Sequence, residues 1–578
     1  MLLFVIVGCS NQSDKDIVDR PNVILIMADD MGYGDLGYHD NPYIQTPNLD
    51  ALAEGSVNFK NFYVSPVCAP TRASLLTGRY SIRTGVFDTY SGGAIMASNE
   101  ITLAESLTEA GYRTGLFGKW HLGDSYPSRP QDQGFQESVW HLSGGIGQVG
   151  DVFNYYAADS SYFNPVLYKN GEQFKSNGYC SDVYTNEAIS FIEKQKEQPF
   201  FAYVSYNAPH TPLQVPQEYL DKYEQLTFDS TYYASRGIYE HEISENDLEA
   251  AKKVYAMVTN IDDNVGKMIQ SLKTNNLWDN TIVIFMTDNG PEQWRYTGGF
   301  RGKKGRVREG GIHVPFYMKL PENKIQHVET RSAHIDVMPT LLELCNVKQK
   351  NKSEFDGLSL VPQIYENKPS PERSLFFEWQ RSFPEKYRNM TVISDDFKLI
   401  GNTTDGADIE AFELYNLKND PFEASNIVSK NTSKALELRN QLDAWYEDIM
   451  NSDNIINIPA TIIGTEYETH TILNRNDARG MQLIWAQDDM YVRWDLDIAK
   501  EGKYKVNIHF RNQINDPGDL MLRVGNQNFT LQNSKTDTRT LTYDEVLLKE
   551  GKASLEAWYY MGWGKGYITP FYIELIAL

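Results

Sequence analysis

Cysteine is scarce in this chain, four in 578 residues, which excludes the disulfide frameworks that hold small secreted domains together. Long apolar runs are missing too. Past the first nine residues nothing in the sequence approaches the roughly 18 consecutive apolar residues of a membrane-spanning helix. Basic charge is in deficit, 54 Lys and Arg against 77 Asp and Glu, for a net charge of −23. A surface of that sign repels nucleic acid and anionic polymers at long range, so an anionic substrate has to be captured by a local basic pocket. What the chain has in quantity is core material, 41% hydrophobic residues with 10 Trp and 36 Tyr, which excludes a disordered protein. Its length exceeds what one core can serve and predicts two or three domains.

The opening run MLLFVIVGC ends in Ile6-Val7-Gly8-Cys9 and resembles a bacterial lipobox, and the polar stretch SNQSDKD after it reads as a tether. Residues 1–19 are therefore expected to be a lipoprotein signal peptide and tether. A lipid anchor on Cys9 would be the only membrane attachment and would place the protein in the cell envelope, periplasmic or surface-exposed. An oxidising compartment would allow Cys180 and Cys345 to pair, but two thiols are no framework.

Asn22 to Ala28 (NVILIMA) is a continuous apolar run, the mark of a strand buried on both faces, and it ends in Asp29-Asp30-Met31-Gly32-Tyr33-Gly34. Three further runs behave alike. Tyr112 to Phe117 leads to Gly118-Lys119-Trp120-His121-Leu122-Gly123, Pro199 to Ser205 to Ala208-Pro209-His210-Thr211-Pro212, and Thr281 to Thr287 to Asp288-Asn289-Gly290. With a helix over residues 48–54 and a long amphipathic pattern from Asn246 to about Lys273, this reads as an α/β protein with a doubly wound sheet, in which ligands bind beyond the C-terminal strand ends. The pairs Asp262-Asp263, Asp395-Asp396 and Asp488-Asp489 have no such place and are expected to be solvated. Residues 222–245, rich in Tyr, Ser and charge, read as an irregular insertion walling the pocket.

Cys68-Ala69-Pro70-Thr71-Arg72-Ala73-Ser74-Leu75-Leu76-Thr77-Gly78 pairs a lone cysteine with an arginine four residues on. Pro70 suits a first helical turn, where its missing N–H has no intrahelical partner, and good helix formers follow as far as Gly78. Cys68 would then face the positive end of a helix, with Arg72 one turn further in, an arrangement suited to an anion. Asp29, Asp30, Asp288 and Asn289 offer oxygen ligands, which suit a hard cation, Ca²⁺ more readily than Mg²⁺ where carboxylates crowd the site, and disfavour zinc.

The Cys-x-Pro-x-Arg segment, with Thr77-Gly78 after four more residues, resembles the signature of the type I, formylglycine-dependent sulfatases, and every fixed position is filled. Gly118 to Gly123 is similar to the family's GKWHLG segment, and Lys304 stands at the family's spacing from Glu309-Gly310-Gly311, with Lys303 as the fallback. The resemblance covers roughly residues 20–450. It implies the alkaline phosphatase superfold, a doubly wound mixed sheet over 20–370 and a small α+β subdomain over 371–455. It also implies that a formylglycine-generating enzyme oxidises Cys68 to 3-oxoalanine (formylglycine), the nucleophile, and that Asp29, Asp30, Cys68, Asp288 and Asn289 surround one divalent cation. Arg72, Lys119 and Lys304 would neutralise the sulfate ester, Asp288 would help take the proton of the nucleophilic hydroxyl, His210 would protonate the departing alcohol, and His121 would assist the second hydroxyl. The runner-up is a phosphodiesterase or phosphonate monoester hydrolase of the same superfold. A different class is a glycan-binding lipoprotein with a dead catalytic domain, against which the filled positions weigh.

Residues 456–578 lack helical periodicity and show short alternating runs such as Tyr504 to Phe510 between Gly, Asn and Asp turns. They read as an all-β sandwich resembling a carbohydrate-binding module, rich in aromatics (Trp485, Trp494, Trp558, Tyr559, Tyr560, Trp563) that either stack on sugar rings or fill the core. The expected substrate is a sulfated oligosaccharide or polysaccharide, with no nucleic acid partner.

Overall fold

The Asn22–Ala28 strand, all seven residues buried, lies inside a ten-stranded sheet. It runs parallel to Phe200–Ser205 on one side and to Thr281–Thr287 on the other. Arg113–Lys119 and then Glu137–His141 extend the parallel set, while Phe316–Lys319 and Val166–Lys169 join antiparallel and make the sheet mixed. The continuous apolar run follows from two covered faces: Val23, Leu25 and Met27 enter one core, Ile24, Ile26 and Ala28 the other. Each such large side chain contributes roughly 1.5–3 kcal/mol by leaving water. The second face is covered by the 30-residue helix Glu245–Thr274, which opens on a capping box between Ser244 and Asp247. This computed structural model describes residues 20–578 apart from 158, 229–240, 350–353, 367, 370, 481–486 and 563. The signal peptide and anchor, the middle of the 222–245 insertion, Trp485 and Trp563 thus lie outside the described residues. No helix among the described residues is long and apolar enough to cross a membrane.

Two expectations need correction. Cys180 and Cys345 are free and buried in cores on opposite faces of the sheet, so they do not pair. Asp262 is not solvated: it is fully buried and caps the Pro47–Glu54 helix, accepting from the backbone N–H groups of Leu49 (2.7 Å) and Asn48 (3.2 Å). Burial, only partly offset by these donors, raises it to about 6. A carboxylate on a helix N-terminus lying far off in sequence leaves no local sequence signal.

Beyond the main sheet, Ser374–Glu378, Met390–Ser394, Phe397–Gly401 and Glu413–Asn416 form an antiparallel sheet. The Thr432–Met450 helix packs on it through Leu438, Leu442, Trp445 and Ile449. From Thr461 onward the chain forms a seven-stranded and a four-stranded sheet sharing one core, to which Tyr504, Val506, Ile508 and Phe510 contribute alternate side chains. Trp494 and Tyr559 fill that core, whereas Trp558 is half-buried and Tyr560 exposed. Trp494 and Tyr559 thus take the core-filling role expected of some of these aromatics.

Candidate active site

Four parallel strands bring their C-terminal ends to one edge. Asp29 and Asp30 follow the Asn22–Ala28 strand, Asp288 and Asn289 follow Thr281–Thr287, Lys119 is the last residue of its strand with His121 just beyond, and His210 follows the strand ending at Ser205. The backbone locks these ends together, Asp29 N–H donating to Ala208 O (3.1 Å) and Asp288 N–H to Ala28 O (3.2 Å). Asp30 sits in the left-handed region (φ 63°). A fully buried ion pair holds that turn: Arg295 donates to Asp35 (2.6 Å) and to the Asp30 carbonyl (2.8 Å), and Asp35 accepts from Gly32 N–H (2.7 Å).

Two glycines make the close approaches. A Cβ on Gly118 would lie 1.8 Å from the Ser205 carbonyl oxygen and one on Gly290 1.9 Å from that of Gly310, which explains the glycine before Lys119 and the glycine after Asn289. Gly118→Ala is expected to cost about 3 kcal/mol from overpacking added to left-handed strain (φ 124°). Urea unfolding would read this as a lower midpoint at unchanged m-value.

The Cys68–Thr77 helix begins after extended Val67, carries Pro70 in its first turn and ends at left-handed Gly78 (φ 68°), with all ten helical residues buried. Cys68 Sγ lies 3.4 Å from His121 Nδ1. His121 Nε2–H is placed to donate to Thr89 O at 2.9 Å, leaving Nδ1 as an acceptor toward the thiol. Arg72 donates to Asp288 Oδ2 (2.7 Å), to Lys119 O (3.1 Å) and to Ser205 Oγ, tying three strand ends to the helix. Lys119 Nζ reaches Asp29 Oδ2 at 2.6 Å and Lys304 Nζ reaches Asp30 Oδ1 at 2.7 Å. Lys303 turns away to the Glu292 carbonyl, so of the two lysines it is Lys304 that enters the site. His210 Nε2 stands 3.7 Å from Asp30 Oδ2.

Electrostatics follow from this crowding. Burial and the neighbouring Asp29, against Arg72 and Lys119, push Asp288 up to about 7. Burial would raise Asp30 as well, but Lys304, His210 and Asn289 hold it below the usual carboxylate range. Burial together with Lys304 lowers His210 to about 3, and burial with Lys119 puts His121 well below its ordinary value, so both imidazoles are neutral. Burial pushes the Cys68 thiol up.

The residues fit a hard cation. Asp29 Oδ1 and Asn289 Oδ1 are buried without a hydrogen-bond partner. Single ligand atoms from Asp29, Cys68 and Asp288 all lie within 4.8 Å of one another, as do those from Asp29, Asp30 and His210. Beside them opens a cavity of about 340 Å³, lined by Cys68, His121, His210 and Lys304 together with Tyr90, Trp379 and Arg381. All ten residues proposed from sequence thus meet at one edge. Sequence reading missed Asp35, Arg295, Ser205, Tyr90, Trp379 and Arg381; of these only Asp35, three residues past Gly32 in the turn after a buried strand, carries a signal that could have found it.

A mixed sheet whose strand ends hold buried carboxylates against cations beside an open cavity defines an alkaline-phosphatase-like hydrolase. The chain belongs to the sulfatase family, whose model matches residues 21–347, and a second model described as N-sulphoglucosamine sulphohydrolase, C-terminal, matches residues 299–450. Human N-acetylgalactosamine-6-sulfatase is 30% identical over 388 residues, 62% of this chain and 68% of that protein. The ulvan-active sulfatase of Formosa agariphila is 30% identical over 468 residues, 77% of this chain and 84% of its own. Ps i-CgsB, solved in complex with k-i-k-neocarrahexaose, aligns with a TM-score of 0.63 at 28% identity over 75% of this chain and 94% of that one. The protein is a sulfatase, hydrolysing sulfate esters, with the fold that the resemblance implied.

Proposed function

We propose that this sulfatase removes sulfate from a sulfated carbohydrate, using formylglycine derived from Cys68 and one divalent cation, preferentially Ca²⁺. The observation that carries this reading is the placing of Cys68 in the first turn of a buried helix, beside Arg72, Lys119 and Lys304 and against buried oxygens that lack partners. A buried, protonated thiol is a poor nucleophile, so the position needs modification to act. Formylglycine would supply a hydrated aldehyde with one hydroxyl to attack sulfur and a second to expel sulfate. The cation would be held by Asp29, Asp30, Asp288 and Asn289 and would stabilise the charged nucleophile. Arg72 fixes Asp288, which would help to take the proton of the nucleophilic hydroxyl. Lys119 and Lys304 neutralise the ester oxygens. His210 borders the cavity, where, once its Nε2 has taken up a proton in the substrate complex, it would pass that proton to the leaving alcohol, and neutral His121, anchored by Thr89, assists the second hydroxyl.

The sulfated-sugar substrate rests on the relatives named above. The site is further proposed to be matured by a formylglycine-generating enzyme and to work in the cell envelope behind a lipid anchor on Cys9. The sulfatase relatives do not favour the phosphodiesterase or phosphonate monoester alternative. Parallel assays on the sulfate and phosphate esters of one alcohol test this, with faster sulfate release expected; release of phosphate alone would sink the reading. Strong chelation is expected to remove activity and Ca²⁺ to restore it better than Zn²⁺, with Asp30→Ala and Asp288→Ala resembling chelated enzyme. Full turnover of metal-stripped protein would count against the cation.

A further inference from the structure

At the cavity that Cys68 lines, the Ser374–Glu378 strand leads into Trp379 and Arg381, which reach back onto the turn after Phe87. Asp88, fully buried, organises that part of the wall. It accepts from Thr89 N–H (2.7 Å), Trp379 Nε1–H (3.2 Å), Arg381 Nη1–H (2.8 Å) and Ser382 N–H (2.7 Å). Arg381 Nη1 also donates to Thr89 Oγ1 at 2.8 Å, which uses both of its hydrogens. The guanidinium carbon lies 5.1 Å from the Tyr90 ring centroid and 5.0 Å from that of Trp379, so the group is fixed on one edge and packed against two rings. Its Nε and Nη2 hydrogens meet no acceptor among the described residues, and the side chain, 40% exposed, borders the cavity. The other polar groups of that wall are already engaged: Tyr90 OH donates to Gln148 and the Trp379 indole N–H to Asp88. Glu292, which also lines the cavity, 42% exposed and 3.8 Å from Lys304, offers an acceptor.

We propose that Arg381 is the specificity-determining contact of this sulfatase. Its Nε/Nη2 fork, immobilised by Asp88, Tyr90 and Trp379, donates to neutral ring hydroxyls of the sugar whose sulfate lies at Cys68. The ligand is a hydroxylated pyranose rather than a second anionic group, because Asp88 already balances the Arg381 charge and Glu292 adds a negative one. Among the described residues, the one lysine or arginine lining the cavity besides Arg381 is Lys304, which serves the scissile sulfate. A rigid donor pair spends little entropy on binding, and a fork that a bound sugar covers without giving it hydroxyls to replace its water is costly, which is how such groups discriminate between sugars. The proposal rests on the sulfatase reading and deepens it.

The test compares wild type, Arg381→Ala and Arg381→Lys on 4-nitrophenyl sulfate and on the best substrate from a panel of singly sulfated monosaccharides, with each hydroxyl of that substrate also deleted in turn. Arg381→Ala is expected to raise KM for the sugar sulfate about 10- to 100-fold, with a loss on the aryl ester at least tenfold smaller. Arg381→Lys, which keeps the charge but not the fork, should resemble Arg381→Ala. One monodeoxy sugar should already be poor for wild type and lose little more in the variant. Equal losses on both esters would show that Arg381 merely supports the Asp88 turn, and would overturn the proposal. Rescue by lysine, or a loss confined to sugars carrying a second anion, would overturn it in favour of charge recognition. Wild-type turnover of neither ester would instead bring down the sulfatase reading itself.

Discussion

Cys68→Ala is expected to lose turnover by about 10⁴-fold or more, the scale on which removal of a catalytic nucleophile is felt, while the fold survives. Cys68 is 2% exposed, yet its thiol is small and its one recorded polar partner is His121 Nδ1. The variant therefore forfeits one weak contact and a little packing, and its thermal midpoint should move by no more than about 3 °C. Mass spectrometry of active wild type should find the Cys68 peptide with CHO in place of CH₂SH. Unmodified thiol throughout a fully active sample would refute the mechanism, as would a Cys68→Ala protein that retains turnover. A variant that is inactive because it is unfolded would be recognised by its melting curve. Arg72→Lys is the contrast: the charge remains but the fork joining Asp288, Lys119 and Ser205 is lost, so the strand ends themselves should loosen.

The strands that carry the site were legible because both their faces are covered, which makes their sequences continuously apolar. Asn22–Ala28 and Thr281–Thr287 are the segments read from sequence. At Tyr112 to Phe117 the reading stopped short, since the strand runs on to Lys119. Gly118 and Lys119 look like a loop by residue type, but Gly118 has no Cβ to clash with the neighbouring strand, so the ladder continues through it. The meeting of Asp29, Asp30, His210, Asp288 and Asn289 followed from strand ends, and the approach of Lys119, His121 and Lys304 from the family segments they resemble. Asp262 and Arg295 were illegible for a common reason. Each is a charge buried by partners supplied from distant segments, and a single sequence records no pairing across such distances. Trp379 and Arg381 were hidden likewise: they come from the small subdomain, whose short strands carry no motif.

Removing residues 451–578 is expected to abolish activity on aryl and polymeric substrates alike, because the sandwich supports the active-site loops. A detachable sugar-binding module would instead leave aryl sulfate turnover unchanged. Three sets of contacts support this outcome. Phe571 is fully buried within the catalytic core cluster, its ring centroid 4.8 Å from that of Tyr155, so truncation would uncover apolar surface. Asn474 Nδ2 donates to Asp124 Oδ2 at 2.7 Å, and both Asp124 oxygens accept from Ser143 N–H at 3.0 and 2.9 Å. Asn476 accepts from Gly92 N–H at 3.0 Å and, through its side chain, from Ser143 Oγ at 3.1 Å. Ser143 precedes Gly144, where a Cβ would lie 2.4 Å from His121 Cε1, and Gly92 follows Tyr90 on the cavity wall. The tail thus holds the two loops that fix His121 and the pocket. Asn476→Ala in the full chain keeps the sandwich and removes the side-chain bond from Ser143 Oγ together with the one Asn476 Nδ2 donates to Asp477 Oδ1 at 3.2 Å. It should lower kcat on the small ester several-fold, the effect of about 1 kcal/mol, without loss of solubility. If the truncated protein is soluble, folded and fully active on 4-nitrophenyl sulfate, the sandwich is a separate module and its seam with the catalytic domain carries no catalytic consequence.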